Sequence, residues 1–257
     1  MDASSVFIGI AFHGIAFAMV LYLVSVGLSV TMGLMGFVNL AHGVFAAAGG
    51  YAMLTLMNGY DVAFPLAIAG ACVAVAAGSV VLERTLYRRL YGGDELDQVL
   101  LSIGLIFMSV AIAKLLWGPL PQPMHTPPYL SGQVDLGFRS FPAYRSFLIV
   151  CGAVVVSLLW LGLERTRFGA RVRAAVDNRR MAQSIGIDTN RLFTLTFALG
   201  SGLAALGGAL GADILAIDPG YALSSWFTFS SSLPSVGSAA SADRSSPRYS
   251  SAPPILR

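Results

Sequence analysis

The side chains best suited to metal or nucleophilic chemistry are His13, His42, His125, Cys72 and Cys151. Their spacing supports neither. No HExxH, GxSxG or paired-cysteine pattern occurs, so zinc hydrolysis and serine or thiol catalysis lack their constellations. Nothing reads GxxxxGK[ST], and Lys114 is the only lysine, so the chain has no P-loop to cradle a nucleotide. No catalytic residue, metal site or cofactor is expected. The chain reads as no enzyme, and any work drawn from ATP falls to another subunit.

Two other constellations remain. The first is Met35–Gly50, MGFVNLAHGVFAAAGG, where Asn39 and His42 sit among apolar residues beside Gly36 and Gly43. Polar groups at membrane depth are costly unless they pair or line a wet path. Glycines beside them permit a broken helix, and broken helices in transporters expose backbone groups to substrate. Asn39, His42 and Gly43 are therefore candidates for a translocation path. The alternative is a short loop in which Asn39 caps the next helix, and the residues leave both open.

The second is Glu164–Arg191, ERTRFGARVRAAVDNRRMAQSIGIDTNR, which holds seven arginines between two apolar runs. Ala170–Gln183 contains no Pro or Gly and many helix formers, and Gly186 can end a helix there. Arg171, Arg173, Arg179 and Arg180 give it a basic surface. At 28 residues it exceeds the few needed to join two helices. A short helix lying along the membrane and docking on a soluble subunit fits it better than a plain positive-inside connection.

The elements that position these groups follow from composition. The chain has 257 residues, 56% hydrophobic and only 11% charged, against about 25% charged in soluble domains. From Val6 to Tyr60 there is no Asp, Glu, Lys or Arg. Six apolar runs stand out: Val6–Met32, Ala41–Met57, Val62–Leu82, Gln98–Trp117, Ser146–Leu163 and Leu192–Ile217. The second, short and rich in Gly and Ala, is the weakest. A span needs roughly 20 apolar residues, and backbone polar groups in lipid must be satisfied internally, so these runs are helices. The expected fold is all-α: a polytopic transmembrane bundle of about six spans. Both cysteines fall inside apolar runs and read as small core residues. The net charge of +3 is explained by loop arginines and gives no reason to invoke nucleic acid. The N-terminus, MDASSV, lacks a basic signal-peptide region, so the first run reads as a retained span.

Arginines place Glu83–Asp97 and Glu164–Arg191 in the cytoplasm and the proline-rich Gly118–Arg145 outside. Three crossings before Glu83 put the N-terminus outside, whereas a re-entrant Ala41–Met57 puts it inside. Small residues mark helix contacts: Gly207 and Gly211, with Gly200, Gly202 and Gly208 in the same run, and Gly43, Gly49 and Gly50 in the second.

Two blocks resemble the permease subunits of ABC importers for branched-chain amino acids, the high-affinity group that includes urea permeases. They are GLSVTMGLMGFVNLAHGVFAAAGGYAM, Gly27–Met53, and the stretch Arg171–Gly211 with RAAVDNRRMAQSIGIDTNR. The resemblance covers roughly Val6–Leu223. It implies a bundle paired with a second permease subunit, ATP-binding subunits and an extracytoplasmic amino-acid-binding protein, with membrane lipid around it and the cell inner membrane as its place. It also implies a coupling helix with an EAA-xxx-G motif. Aligned on Gly186, that motif falls on Arg180, Met181 and Ala182, then Gln183–Ile185; Ala182 and Gly186 match, while Arg180 and Met181 depart. Arg173, Asp177, Asn178, Arg179, Ala182 and Gly186 are thus the candidate coupling residues. The implied function is inward movement of Leu, Ile or Val. A urea or short-amide permease is a close alternative. An ATP-independent secondary transporter is a rival that calls for acids within the spans, where only Asp213 stands near the end of one.

After Leu223 the composition turns to Ser, Ala, Pro and Arg. Residues 1–223 read as the permease domain, apparently incomplete, and 224–257 as a divergent, disordered tail. A frame shift is the expectation here, because codon degeneracy allows the codons of Gly237–Ala242, read from their third bases, to encode Val-Gly-Gly-Leu-Gly without requiring it. The gene's nucleotide sequence tests this: another frame should encode apolar spans beyond Leu223, and the absence of one refutes it.

Overall fold

The computed structural model describes residues 3–35, 39–90, 94–124, 126–135 and 140–223. Eight α-helices occur among them: α1 (Ala3–Met35), α2 (His42–Tyr60), α3 (Phe64–Thr85), α4 (Glu95–Trp117), α5 (Ala143–Arg165), α6 (Arg167–Asp177), α7 (Arg179–Ser184) and α8 (Thr189–Gly211). A 3-10 turn, Tyr87–Leu90, follows α3. The proline-rich connection carries a two-stranded antiparallel hairpin of β1 (Gln133–Asp135) and β2 (Ser140–Pro142). The Ser- and Pro-rich tail, and His125, lie outside the described residues.

Local chemistry sets the helix ends. Asp61 ends α2 in a left-handed conformation (φ 51°), and both its own N–H and that of Val62 bond the Leu56 carbonyl. Pro65 then occupies the first turn of α3, where its missing N–H is no loss. Glu95 and Asp97 lie in the first turn of α4, suiting the positive end of the helix dipole. Gly118, at φ 86°, stops that helix.

Five helices contain segments long and apolar enough to cross a membrane: Phe7–Met32, Phe64–Thr85, Glu95–Trp117, Ala143–Arg165 and Thr189–Gly211. The second run, Ala41–Met57, forms α2, whose 19 residues belong to the bundle by packing rather than by hydropathy. Small residues dilute its apolar character because they are needed for close contact.

That contact is with α8, the centre of the bundle, where 15 of 23 residues are buried. Gly200, Gly207 and Gly211 face α1: a Cβ at Gly200 would meet Gly27 O at 2.8 Å, one at Gly207 Val24 Cγ2 at 2.6 Å, and one at Gly211 Val20 Cγ1 at 2.7 Å. Ala205 and Gly208 face α2, where the backbones of Ala46 and Ala205 leave no room for a Cβ on Gly208 and Gly49. Gly202 faces α3 across ordinary van der Waals contact. The expected role of the glycines in helix contact is therefore met on three sides of one helix. By contrast, α4 and α5 leave Leu100, Phe107, Leu115, Val150, Val154 and Leu158 exposed.

The packing gives each helix a direction. At one end Thr194 at the start of α8 donates to Glu83 near the end of α3 (2.8 Å). At the other end Trp117 Nε1 donates to Thr55 Oγ1 (2.9 Å), and Phe12 packs on Phe141 (centroids 4.3 Å apart). So α1 runs from the proline-loop end toward the arginine end, α2 runs back, and α3 returns. The N-terminal end of α1 therefore lies at the proline-loop end, and three helices traverse the bundle before Glu83; the arginine end is the one that the positive-inside rule assigns to the cytoplasm.

Gly208→Val would force a side chain into the Ala46 backbone. Overpacking typically costs about 1–3 kcal/mol, and backbone yields less than side chains, so a loss near the top of that range is expected. Thermal unfolding in detergent should show a clear fall in midpoint, whereas Gly78→Ala, at a glycine with open space around it, should leave the midpoint unchanged. Equal midpoints for both variants would contradict the close approach.

Candidate functional site

The α1–α2 connection turns inside the bundle. Asn39, Ala41 and His42 are all buried. Asn39 Oδ1 accepts from the Ala41 N–H (3.1 Å) and from the Tyr87 hydroxyl (3.1 Å). The asparagine thus closes the turn just before α2 and also ties it to the turn after α3. Tyr87 is wholly buried and packs on Phe197 of α8 (centroids 4.9 Å apart). Burial pushes its phenol up, so it stays protonated and able to donate.

His42 takes its position from α1. Its Nε2 lies 3.1 Å from the Val24 carbonyl, where a donating N–H makes the bond. The ring stands beside Gly27, where an added Cβ would meet Nε2 at 3.1 Å. Asn39 Nδ2 and His42 Nδ1 are buried without a hydrogen-bond partner. Gly43 is buried in the first turn of α2. These three residues therefore share one buried turn, whose polar groups are only half satisfied.

Beyond that turn α2 shows two faces. Ala46, Gly49 and Gly50 press on α8 and the segment after it. Val44, Ala47, Ala48, Tyr51, Ala52 and Thr55 instead line a half-open cavity of about 470 Å³, faced by Ser109, Ile112, Ala113 and Trp117 of α4 and by Pro219 and Ala222. That size lies within the roughly 300–1,000 Å³ of small-molecule pockets. At its cytoplasmic end Ala41, Ile106 and Ala222 form a small apolar cluster with Leu40, Val44 and Leu105.

The second constellation forms the cytoplasmic end. The stretch expected to be one helix is two, because Asn178 is extended (φ −154°, ψ 98°). Its Oδ1 accepts from the Met181 N–H (3.0 Å), so it ends α6 and caps α7. Asparagine competes well for such a position, and reading the stretch by helix propensity alone missed it. Thr166 caps α6 in the same way through the Gly169 N–H (3.3 Å). Gly186, at φ 87°, follows α7 as the left-handed residue, while Ile187 N–H returns to the Ala182 carbonyl (3.0 Å). Phe168, Val172 and Ala175 turn inward at helical spacing and join Ala182, Leu192 and Phe193 in a satellite core.

The proposed coupling residues divide by environment. Ala182 is only 2% exposed and packs internally. Arg173 bonds the Leu163 carbonyl and pairs with Glu164 (3.3 Å). Arg179 lies over the Phe193 ring, 4.6 Å from its centroid. Asp177 and Asn178 stand at the surface. Val176, Met181 and Ile185 are exposed by 49%, 62% and 69%, three apolar side chains on the arginine-rich loop that the sequence reading did not single out. The signal was there in three apolar residues at positions 176, 181 and 185 on a cytoplasmic loop. The loop is wired to α8 through Gln183 Nε2 to Thr189 Oγ1 (2.8 Å) and through Asp188, which caps α8 at the Arg191 N–H (3.1 Å).

No site for metal appears: among the described residues no three His, Cys, Asp or Glu side chains gather. His13, on α1, stands apart from His42, and Cys72 and Cys151 are free thiols on α3 and α5.

Residues 10–231 match the family described as branched-chain amino acid transport system / permease component. The match runs slightly past Leu223 and ends before most of the tail. The chain is 30% identical over 214 residues to the high-affinity branched-chain amino acid transport system permease protein BraD of Pseudomonas aeruginosa, covering 77% of this chain and 68% of that protein. It is 25% identical over 212 residues to LivH of Escherichia coli K12, of the same description, with 77% and 68% covered. It is 28% identical over 206 residues to a probable branched-chain amino acid transport permease protein LivH of Methanocaldococcus jannaschii, with 76% and 63% covered. No solved structure matches the chain.

Tyr87→Phe removes the donor that ties Asn39 to the turn after α3. A net loss of about 1 kcal/mol is expected for one such bond. It should be read as a lowered unfolding midpoint in detergent, and an unchanged midpoint would show that Tyr87 does not anchor the turn.

Proposed function

The chain belongs to the branched-chain amino acid transport system permease family, and from that premise we propose that it carries Leu, Ile or Val inward as one permease subunit of an ABC importer in the cell inner membrane. It is a multi-pass membrane protein of a family of transport subunits rather than enzymes, and ATP hydrolysis belongs to partner subunits. Its proposed partners are a second permease subunit, two ATP-binding subunits and an extracytoplasmic binding protein. Residues 1–223 act as the permease unit, with 224–257 a divergent tail.

The observation that carries this reading is the cytoplasmic loop. Val176 on α6, Met181 on α7 and Ile185 just after it are exposed apolar residues in an arginine-rich loop, at the end of the bundle the positive-inside rule assigns to the cytoplasm. Exposed apolar groups with a polar rim are what a protein partner covers. Asp177 and Arg179 contribute at its surface, while Arg173, Asn178, Ala182 and Gly186 hold its shape. Closure of the ATP-binding subunits pushes on this loop. Through Gln183, Thr189 and the Asp188 cap the push reaches α8, and from α8 it reaches α1, α2 and α3. Asn39, His42 and Gly43 line the path where α1 meets α2. The apolar cavity beside them suits an aliphatic side chain, whereas urea would leave its walls unmatched.

The test is ATP-dependent uptake of labelled leucine and of urea by the assembled importer in proteoliposomes. Met181→Glu and Arg179→Glu should each lower leucine uptake about tenfold, since an interface anchor is worth upward of 1 kcal/mol, and should weaken co-purification of the ATP-binding subunits. Uptake and co-purification at wild-type levels in both variants would refute docking on this loop. Urea uptake without leucine uptake would reassign the substrate.

A further inference from the structure

A second cavity, of about 280 Å³, opens at the arginine end of the bundle where α3 meets α8. Arg84 in the last turn of α3, Arg88 in the 3-10 turn that follows and Arg191 in the first turn of α8 line it, with Asp188, Asn190 and Thr194. Arg191 pairs with Asp188 (3.0 Å). Neither Arg84 nor Arg88 forms an ion pair among the described residues. Behind the lining, Thr194 donates to the buried Glu83. The formal charges of Arg84, Arg88 and Arg191, set against those of Asp188 and Glu83, leave a net positive site.

Two apolar lines lead to it. On α3, Val73, Ala77 and Val81 are exposed at helical spacing, and the next step along that line is Arg84. On α8, Leu195 is exposed one turn beyond Arg191. Small residues fill the seam between the helices, since a Cβ on Gly202 would stand 3.6 Å from Ala76 Cβ. Both helices are long and apolar enough to cross a membrane.

An amphiphile with an anion at one end matches this arrangement. Guanidinium groups present a planar fork that fits phosphate oxygens, and basic pockets between spanning helices suit lipid head groups. A soluble anion or an acidic protein segment would satisfy the arginines but leave the apolar lines unused. We propose that this cavity seats the phosphate of an anionic phospholipid from the leaflet at the arginine end, held by Arg84, Arg88 and Arg191, with an acyl chain along the α3–α8 seam past Val81 and Leu195. Asn190 supplies an amide for head-group hydroxyls. The site lies on the joint between the arginine loop and α8, because Asp188 both caps α8 at the Arg191 N–H and pairs with the Arg191 side chain. The lipid thus bridges the end of α3 to the start of α8.

Native mass spectrometry of the full chain in detergent tests this, by titration with phosphatidylglycerol and with phosphatidylcholine of the same acyl chains. Phosphatidylglycerol should bind about tenfold more tightly, the scale of two basic residues facing an anionic lipid. Arg84→Gln combined with Arg88→Gln should remove that preference, and Arg88→Gln alone should remove part of it. Arg167→Gln combined with Arg171→Gln takes the same charge from α6, outside the cavity, and should leave the preference intact. Unfolding midpoints in phosphatidylcholine should match the unmodified chain for all three, so that the loss reads the site rather than the fold. Equal losses in the two double variants would reduce the effect to general attraction and overturn the proposal. Inorganic phosphate binding as tightly as the lipid would also overturn it, in favour of a soluble anion. So would an unchanged lipid preference in the Arg84→Gln, Arg88→Gln variant together with lost co-purification of ATP-binding subunits, which would assign these arginines to an acidic protein surface.

Discussion

Close approach of helix backbones to α8 is the constraint on which the rest of the bundle depends. In a bilayer, helices gain nothing from hiding apolar surface, because lipid is as apolar as the core, so packing must come from fit. On α8 the fit is made by leaving side chains out. Gly200, Gly207 and Gly211 admit α1, and Gly208 with Ala205 admits α2. Three helices thereby gather around one, and the Thr194–Glu83 bond locks α3 to it at the cytoplasmic end.

That arrangement also creates the cavity. Because α2 spends its glycine face on α8, its opposite face is free to carry alanines, and these are too small to reach α4. The gap between α2 and α4 is the result, bounded at its outer end by the Tyr51–Trp117 stack and at its inner end by the cluster around Ile106. The composition that made α2 look the weakest span thus serves two contacts of opposite character: tight packing on one side, open space on the other.

Much of this was legible in the residues. Charge segregation gave the helical bundle and set both arginine loops apart from the spans, at what proves to be one end of the bundle, and the glycines of α8 marked the contact helix. Periodicity could not show which neighbour each glycine meets, since that depends on partners far away in sequence. Asn39 and His42 were singled out by polarity in an apolar run, but Tyr87, the residue that holds Asn39, sits 48 positions away and carries no local signal. The break at Asn178 was visible only to someone weighing a cap against helix propensity. Gly50 and Ile217 meet through the return of the chain after α8, a tertiary event that no window of sequence contains.

The direction of α1 has a consequence for how the protein is made. No lysine or arginine occurs among residues 1–83, so α1, α2 and nearly all of α3 enter the bilayer with no cationic flank of their own. Orientation is set by such flanks, and the first is Arg84, Arg88 and Arg89. Within these residues, then, the cations that can fix the hand of the first three helices all follow them in the chain, so α1 and α2 take their orientation from α3 through packing rather than from charges beside them.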